Sequence, residues 1–252
     1  MTDNATRRFR ALFISDVHLG TRGCQADKLL DFLRHHEAET VYLVGDILDG
    51  WALRSSWYWP QSHNDVVQKI LRQARKGVRI IYVPGNHDEF LRGYYGTHFG
   101  GIEVVENTIH TGVDGVTQAR WLALLGDKAY EFALTANRVF NAFRRVLGAP
   151  YWSLSKWAKL KVKNAVNYIG AFEKALATEA RHHQADGVIC GHIHTAAMHD
   201  DYGLRYINCG DWVESCTAVA EGHDGRFEII TWTQTGHGTD AAVAMPETAK
   251  AA

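Results

Sequence analysis

The sequence predicts an α/β fold, and three observations support that prediction. Apolar runs of strand length alternate with amphipathic segments of helix length through the first half of the chain. Clusters of polar residues follow these runs, in the positions where open α/β sheets place their ligand sites. Short strands with glycine-rich turns return near the carboxyl end. A chain of 252 residues accommodates one such domain with an insertion, so a second independent domain is not required.

Three strands and two helices are predicted in the first half. The strands are mainly apolar runs, which are typical of strands buried on both faces. They are predicted at Phe9–Ser15, Thr40–Val44 and Val78–Val83. The helices between them are predicted at Gln25–His36 and Asn64–Lys76, and Gly77 ends the second helix.

A fourth strand is predicted at Ile102–Thr111, where polar and apolar residues alternate. The turn Val113-Asp114-Gly115 that follows normally precedes the return strand of a hairpin. No return strand is predicted here, because Val116–Gln184 has the three- and four-residue spacing of apolar side chains that indicates helices. A break at Gly148-Ala149-Pro150 divides this helical segment.

Four short strands are predicted after the helical segment. They lie at Gly187–Cys190, Leu204–Asn208, Cys216–Ala220 and Arg226–Ile230. We therefore expect a single domain over residues 9–233 with a helical insertion at about 116–184. Residues 234–252 have no pattern and are expected to be disordered.

Composition argues against several classes of protein. No stretch reaches the roughly 18 uninterrupted apolar residues that a membrane-spanning helix needs. Met1–Arg10 is polar and lacks the apolar core of a signal peptide, so a cytoplasmic location is expected. The four cysteines form no C-x-x-C pair, which disfavours a zinc ribbon or a dithiol redox site. The 14 histidines are about twice the average usage, and this surplus directs attention to metal chemistry.

Four short polar motifs follow predicted strands. They are Asp16-Val17-His18, Gly45-Asp46, Gly85-Asn86-His87-Asp88 and Gly191-His192-Ile193-His194. Carboxylate, carboxamide and imidazole ligands together suit Mn²⁺, Fe²⁺, Zn²⁺ or Mg²⁺, and a carboxylate shared by two ions gives the short separation of a two-metal hydrolase. One such motif alone is more often a turn, but four in succession predict a metal site.

This set of motifs resembles that of the calcineurin-like metallophosphoesterases, whose fold is a four-layered β-sandwich flanked by helices around a dinuclear site. The resemblance implies two divalent ions, of the Mn²⁺ type. One ion would be held by Asp16, His18, Asp46 and His194, and the second by the shared Asp46 with Asn86 and His192.

The resemblance also implies a catalytic pair. His87 would stand near the phosphate, where it stabilises the transition state or protonates the leaving oxygen. Asp88 would orient the His87 ring.

Within the superfamily, several stretches look like the UDP-2,3-diacylglucosamine diphosphatases and their close relatives. They are Ile14–Gly20, Gly45–Trp51, Tyr151–Ser155 with Asn164–Tyr168, and Gly210–Cys216. Members of that family cleave the pyrophosphate of a UDP-linked diacylated glucosamine to UMP and a lipid monophosphate in lipid A synthesis. The resemblance therefore implies a nucleotide-linked lipid as the substrate.

The charge of the helical insertion suits a lipid pyrophosphate. Val116–Gln184 contains 11 basic and 4 acidic residues, which leaves 16 basic and 24 acidic residues in the rest of the chain. Arg138, Lys159 and Lys163 are the candidates for substrate binding. A basic amphipathic helix pair also suits an anionic membrane, which would place the protein peripherally at its inner face. Because no nucleic-acid module accompanies these residues, nucleic acid is not an expected partner.

One element of the superfamily pattern is absent. The pattern includes a histidine followed by glycine that completes the shell of the second metal, but no His-Gly pair occurs between Asp88 and Gly191. Leu125-Gly126-Asp127 carries leucine where imidazole is needed. His110 is not favoured as a substitute, because hairpin geometry would leave it on a different strand. We expect the loss of about one strand and its loop, roughly 15 to 20 residues.

Three hypotheses about function follow from the motifs and from this absence. We expect the second ion to bind more weakly, since even changes outside the ligand shell lower affinity about 10- to 100-fold. The leading reading is the lipid pyrophosphatase. The alternatives are a phosphodiesterase or phosphomonoesterase acting on another substrate, and a catalytically impaired member of the family.

Overall fold

The computed structural model describes residues 6–113, 118–124 and 169–232. Three helices have described ends: α1 (Ala26–His35), α2 (Gly50–Ser55) and α3 (Gln61–Arg75). A fourth helix, α4, is described over residues 169–182. The described strands are β1 (Arg7–Ile14), β2 (His36–Val44), β3 (Arg79–Val83), β4 (His98–Phe99), β5 (Ile102–Val104), β6 (Thr108–Val113), β7 (Gln118–Leu124), β8 (Gly187–Cys190), β9 (Ala197–His199), β10 (Arg205–Asn208), β11 (Thr217–Glu221) and β12 (Phe227–Thr231).

These strands form two sheets. The first has seven strands in the order β12-β11-β1-β2-β3-β5-β4, and the second has five in the order β6-β7-β8-β10-β9. In the first sheet β1, β2, β3 and β5 run parallel, with Ile14 opposite Leu43 and Leu43 opposite Tyr82. The carboxyl ends of β1, β2 and β3 therefore meet at one edge of the sheet.

The core has three apolar layers, and strand alternation explains how they separate. In β1, Leu12 and Ile14 pack against α1 and α3, whereas Ala11 and Phe13 face the second sheet. A third cluster lies between the second sheet and the apolar face of α4, which includes Phe172. Helix, sheet, sheet and helix thus form four layers, and the predicted sandwich flanked by helices is confirmed.

Most predicted elements are present, but the strand predicted at Ile102–Thr111 is two strands. β5 pairs with β3 in the first sheet, whereas β6 pairs with β7 in the second. A bend at Glu106 separates them. An alternating pattern shows that residues are extended, but it does not show to which sheet they belong.

The helical prediction is wrong for the start of Val116–Gln184. A return strand, which was predicted to be absent, is present there as β7. β7 pairs antiparallel with β6 and parallel with β8, so it occupies an interior position in the second sheet. Neighbours on both sides satisfy the backbone of such a strand, and this tertiary pairing overrides a helical pattern. The helical prediction holds for α4, while Leu125 and most of the predicted insertion lie outside the described residues.

Five short elements were not predicted from the sequence: α2, β4, β9 and two 3₁₀ helices at Glu89–Tyr94 and Asp201–Gly203. The predicted disordered tail lies outside the described residues. Among the helices in the described part of the chain, none has the length and apolar character needed to cross a bilayer.

Candidate metal centre

The four predicted motifs converge where the two sheets meet. Asp16 follows β1 by two residues, Asp46 follows β2 by two, and Asn86 follows β3 by three. His192 follows β8 of the second sheet, and its backbone N–H donates to Oδ2 of Asp16 over 2.8 Å. One hydrogen bond thus joins the metal-site loops of both sheets.

The backbone at the site adopts a conformation that side chains usually avoid. Eight described residues other than glycine have a positive φ, and five of them are predicted metal ligands: Asp16, His18, Asp46, His192 and His194. Such residues are uncommon, because each costs of order 1–3 kcal/mol and persists only where the surrounding structure imposes the conformation. The concentration of this strain at five predicted ligands marks the loops as a functional site.

A first group of ligand atoms comes from Asp16, His18 and His194, all within 4.8 Å of one another. Oδ1 of Asp16 lies 3.3 Å from Nε2 of His194 and 4.0 Å from Nε2 of His18. Oδ1 of Asp16 and Nε2 of His18 are buried without a hydrogen-bond partner. Because buried polar atoms without partners are costly, this donor set fits a divalent cation.

A second group consists of His18, Asp49 and His87. Oδ2 of Asp49 lies 3.1 Å from Nδ1 of His18 and 2.9 Å from Nδ1 of His87. Oδ1 of Asp49 caps α2 by accepting from the backbone of Ala52 over 2.7 Å. Burial raises the pKa of Asp49, but its interactions with Ala52, His87 and His18 outweigh it and the net pKa is lowered. Asp49 therefore faces both imidazoles as a carboxylate. It forms a hydrogen bond with Nδ1 of His18, whereas its contact with Nδ1 of His87 has an ion-pair distance without hydrogen-bond geometry.

The expected role of Asp88 is wrong, because the structure gives that contact to Asp49. The Asp88 carboxylate is fully buried and accepts from the Tyr82 hydroxyl and from the backbone of Gly85, Ile47 and Leu48. These donors occupy both of its oxygens. Asp88 thus fastens the loop after β3 to the loop after β2 rather than orienting His87.

The Asp46 carboxyl group interacts electrostatically with one aspartate of each group, Asp16 and Asp49. It is 2% exposed, and its Oδ1 accepts from the backbone of His87 over 2.8 Å. Burial, followed by the charges of Asp88 and Asp16, raises its pKa to about 8. A nearby cation would favour the charged form of this carboxyl group, so Asp46 is also suited to act as a metal ligand.

The remaining predicted ligands are Asn86 and His192. Oδ1 of Asn86 is buried without a hydrogen-bond partner. The His192 ring stacks on Phe172 of α4 at 5.7 Å. Neither of the two ligand groups found among the described residues includes Asp46 or His192. Of the donors expected for the first ion, Asp16, His18 and His194 form one of these groups.

Burial adjusts the protonation of the histidines. It lowers the pKa of His18 and His192, which favours the neutral imidazole that binds metals. The Asp16 carboxylate raises the pKa of His194. His110 is not available as a ligand, since its ring nitrogens lie 3.0 Å from the Tyr42 hydroxyl and 2.7 Å from Glu221.

Trp51 covers one side of His87, with ring centroids 4.2 Å apart. The preceding residue, Gly50, donates its N–H to the His87 carbonyl over 2.9 Å, and a Cβ there would lie 2.8 Å from that oxygen. Only glycine allows this approach of α2 to the loop after β3. Trp51 is 46% exposed and reaches solvent beside the site.

Sequence reasoning missed Asp49. A carboxylate immediately before a helix is a typical N-cap signal, and Asp49 lies three residues after Asp46. That signal predicts the cap but not the two histidine contacts. The predicted substrate-binding residues Arg138, Lys159 and Lys163 lie outside the described residues.

The chain is similar in sequence to a known family of proteins. The sequence model of a family described as calcineurin-like phosphoesterase matches residues 9–196. A protein of Neisseria meningitidis serogroup C named UDP-2,3-diacylglucosamine hydrolase is 27% identical, over 80% of this chain and 89% of that protein. A protein of the same name from Pectobacterium carotovorum is 28% identical, over 82% and 93%.

Solved structures with a similar fold include one from Entamoeba histolytica. Wild-type Vps29 of Entamoeba histolytica complexed with Zn²⁺ is 15% identical, covers 91% of this chain and 95% of its own, and has a TM-score of 0.45. A similarity at this level adds nothing to the assignment.

Proposed function

The chain belongs to the calcineurin-like phosphoesterase family, and we propose that it hydrolyses the pyrophosphate of UDP-2,3-diacylglucosamine to UMP and the lipid 1-phosphate. Family membership makes it a phosphoester hydrolase that uses divalent metal. The observation that supports the substrate is the similarity to proteins named UDP-2,3-diacylglucosamine hydrolase along about 80% of the chain.

In this proposal two ions, of the Mn²⁺ type, bind at the sheet edge. Asp16, His18, Asp46 and His194 hold one, and Asp46, Asn86 and His192 hold the other. When bound, the ions supply Lewis-acid charge for the phosphate and lower the pKa of water. The buried atoms of Asp16, His18 and Asn86 that have no hydrogen-bond partner support this ligand set.

In this proposal His87 donates a hydrogen bond to the leaving group. Oδ2 of Asp49 lies 2.9 Å from its Nδ1, which leaves Nε2 for the substrate. Protonated at Nε2, the ring donates to the oxygen on which charge develops as the phosphorus–oxygen bond breaks. Trp51 against one face of the ring limits its rotation.

The basic insertion has a separate role. Arg138, Lys159 and Lys163 bind the phosphates, and the insertion contacts an anionic membrane surface from the cytoplasmic side. The positive charge of Val116–Gln184 supports both parts of this proposal.

Metal-dependent release of UMP tests the function. Purified protein treated with a chelator and then given Mn²⁺, Mg²⁺ or Zn²⁺ should release UMP from UDP-2,3-diacylglucosamine only when metal is added. Asp46→Ala should reduce this turnover by about a thousandfold or more, because the variant loses the carboxylate shared by both ions. Glu39→Gln is the matched control, since Glu39 is an exposed carboxylate on β2.

Three outcomes would contradict the proposal. Turnover that survives chelation, or survives Asp46→Ala, excludes the metal site as the catalytic centre. Hydrolysis of aryl phosphodiesters without hydrolysis of the UDP-linked lipid indicates an esterase of another substrate. One tightly bound ion per chain without turnover indicates an impaired member, which the missing His-Gly pair favours.

A further inference from the structure

We propose that Phe172 is a positioning residue that fixes the imidazole ring of His192 for the second metal ion. Phe172 lies on α4, whereas His192 follows β8 in the second sheet. Their rings are stacked, with centroids 5.7 Å apart and an angle of 23° between the planes. The inference rests on the proposed function, because it takes His192 as a ligand of the second ion.

The contact restrains the imidazole through its face rather than its edge. Both nitrogens of a histidine ring lie in the ring plane and point outward from the edge, so a group packed on the face uses neither of them. Phe172 is fully buried, and a side chain in a close-packed interior cannot easily move aside. Rotation of the His192 ring would drive its edge into this fixed neighbour. Phe172 therefore limits the orientation of the imidazole and leaves its nitrogens to polar partners.

The loop after β8 fixes the backbone of His192, but it does not fix the ring. The His192 N–H donates to Oδ2 of Asp16 over 2.8 Å, and the residue has a φ of 81°. The outer side-chain torsion of histidine has only broad preferences of its own. Contacts with the ring must therefore select the orientation in which a nitrogen can face a metal ion, and the Phe172 contact has the geometry to do so.

α4 is held on the second sheet by contacts that do not involve Phe172. Oε1 of Glu173 lies 3.3 Å from Nε2 of His199 on β9. The Tyr202 hydroxyl donates to the carbonyl of Gly170 over 3.3 Å. Loss of the Phe172 ring should therefore leave the helix in place and act on the imidazole.

Core packing is the alternative explanation of Phe172. The residue belongs to the third apolar cluster, as does Leu176 one turn further along α4, and both side chains are buried. A purely structural role predicts similar consequences for metal binding when either side chain is shortened. A positioning role predicts that only the loss of the Phe172 ring affects the second ion.

Titration of the metal-free protein with Co²⁺, followed by calorimetry and visible absorption, tests the proposal. The ion that is lost in Asn86→Ala is identified as the second ion. Phe172→Leu keeps an apolar side chain but loses the ring, and it should bind this ion about 10- to 100-fold more weakly, as when other residues that orient metal ligands are changed. Its affinity for the first ion should stay within about twofold of the wild-type value, since ligands of that ion do not depend on the contact.

Two further variants separate orientation from packing. Leu176→Val shortens the neighbouring core side chain and should leave both affinities within about twofold of wild type. Phe172→Tyr retains the aromatic face and should keep the affinity for the second ion. In the metal-free protein, NMR should show an upfield shift of the His192 ring protons above the Phe172 ring, and Phe172→Leu should lose this shift.

Failure of this proposal is distinguishable from failure of the proposed function. The proposal is overturned if Phe172→Leu binds the second ion or shifts the His192 protons as wild type does, if it weakens both ions equally, or if Leu176→Val has the same effect. None of these outcomes bears on turnover by the wild-type protein. Selective weakening of the second ion in Phe172→Leu, without release of UMP by wild type, overturns the substrate alone. A wild-type protein that binds only one ion overturns both.

Discussion

At the residue scale, Asp49 makes the contact with His87 that the family resemblance implied for Asp88. Asp88 is adjacent to His87 in the chain, yet its oxygens accept from four groups of the protein frame. Asp49 is distant in sequence, yet it reaches the rings of His18 and His87. Substitution by asparagine should therefore have different effects at the two positions: a lower kcat at Asp49 and a lower stability at Asp88.

Asp49→Asn should reduce kcat by about 10- to 100-fold with little loss of stability. Asparagine caps a helix as well as aspartate does, but it lacks the negative charge that orients both imidazoles. The loss should appear in kcat rather than KM. Thermal unfolding measured alongside provides the control.

Asp88→Asn should instead lower the free energy of unfolding by roughly 2–4 kcal/mol. The carboxamide NH₂ would face a donor, either the Tyr82 hydroxyl or a backbone N–H, and a buried donor left without an acceptor is costly. Chemical denaturation measures this change. If Asp88→Asn unfolds like wild type and loses as much kcat as Asp49→Asn, Asp88 is the orienting residue after all.

At the element scale, the ends of β1 and β8 must approach each other closely to build the site. A Cβ at Gly191 would lie 2.4 Å from Oδ2 of Asp16 and 2.7 Å from Cβ of Ser15. The loop after β8 can therefore donate the His192 N–H to Asp16 only if residue 191 has no side chain. The two sheets contribute ligands to one centre because of this contact.

Gly191→Ala should separate the two loops. We expect a loss of about 1–3 kcal/mol in unfolding free energy from overpacking, and a weakened affinity for Mn²⁺ in calorimetric titration. Gly93→Ala is the matched control, because a Cβ at Gly93 meets nothing within 4 Å. Equal behaviour of the two variants would show that the loops can relax without disturbing the site.

At the scale of the whole molecule, a buried charge network joins the two sheets. Glu221 of β11 is fully buried and accepts from Arg10 of β1 at 2.8 Å, while His110 of β6 lies 2.7 Å from its other oxygen. The backbone of Val113 also donates to Glu221 over 3.2 Å. β1 and β11 belong to the first sheet and β6 to the second, so the network fixes how the sheets pack.

Glu221→Ala should cost roughly 3–5 kcal/mol of unfolding free energy, because it leaves the partly buried Arg10 guanidinium without its counter-charge and the buried His110 ring without its hydrogen-bond partner. Urea denaturation followed by circular dichroism measures the change. Glu228→Ala, which breaks the partly exposed pair with Arg7, should cost about 1 kcal/mol or less. Equal losses in the two variants would contradict a special role for the network between the sheets.

The sequence by itself determined the parts of this protein that depend on local pattern. Apolar runs predicted β1, β3 and β8 within two residues of their observed ends. The motifs after those strands predicted the site, because parallel strands bring their carboxyl ends to one edge. The four-layered fold followed from the resemblance that those motifs carry.

The tertiary structure alone decided which groups become partners. Local pattern fixes which residues are extended or helical, whereas pairing depends on the elements that arrive from elsewhere in the chain. For this reason Ile102–Thr111 divides between two sheets, and β7 pairs where a helix was predicted. The His87 ring faces Asp49 rather than the adjacent Asp88. The buried carboxylate of Asp88 accepts hydrogen bonds from the backbone around it instead.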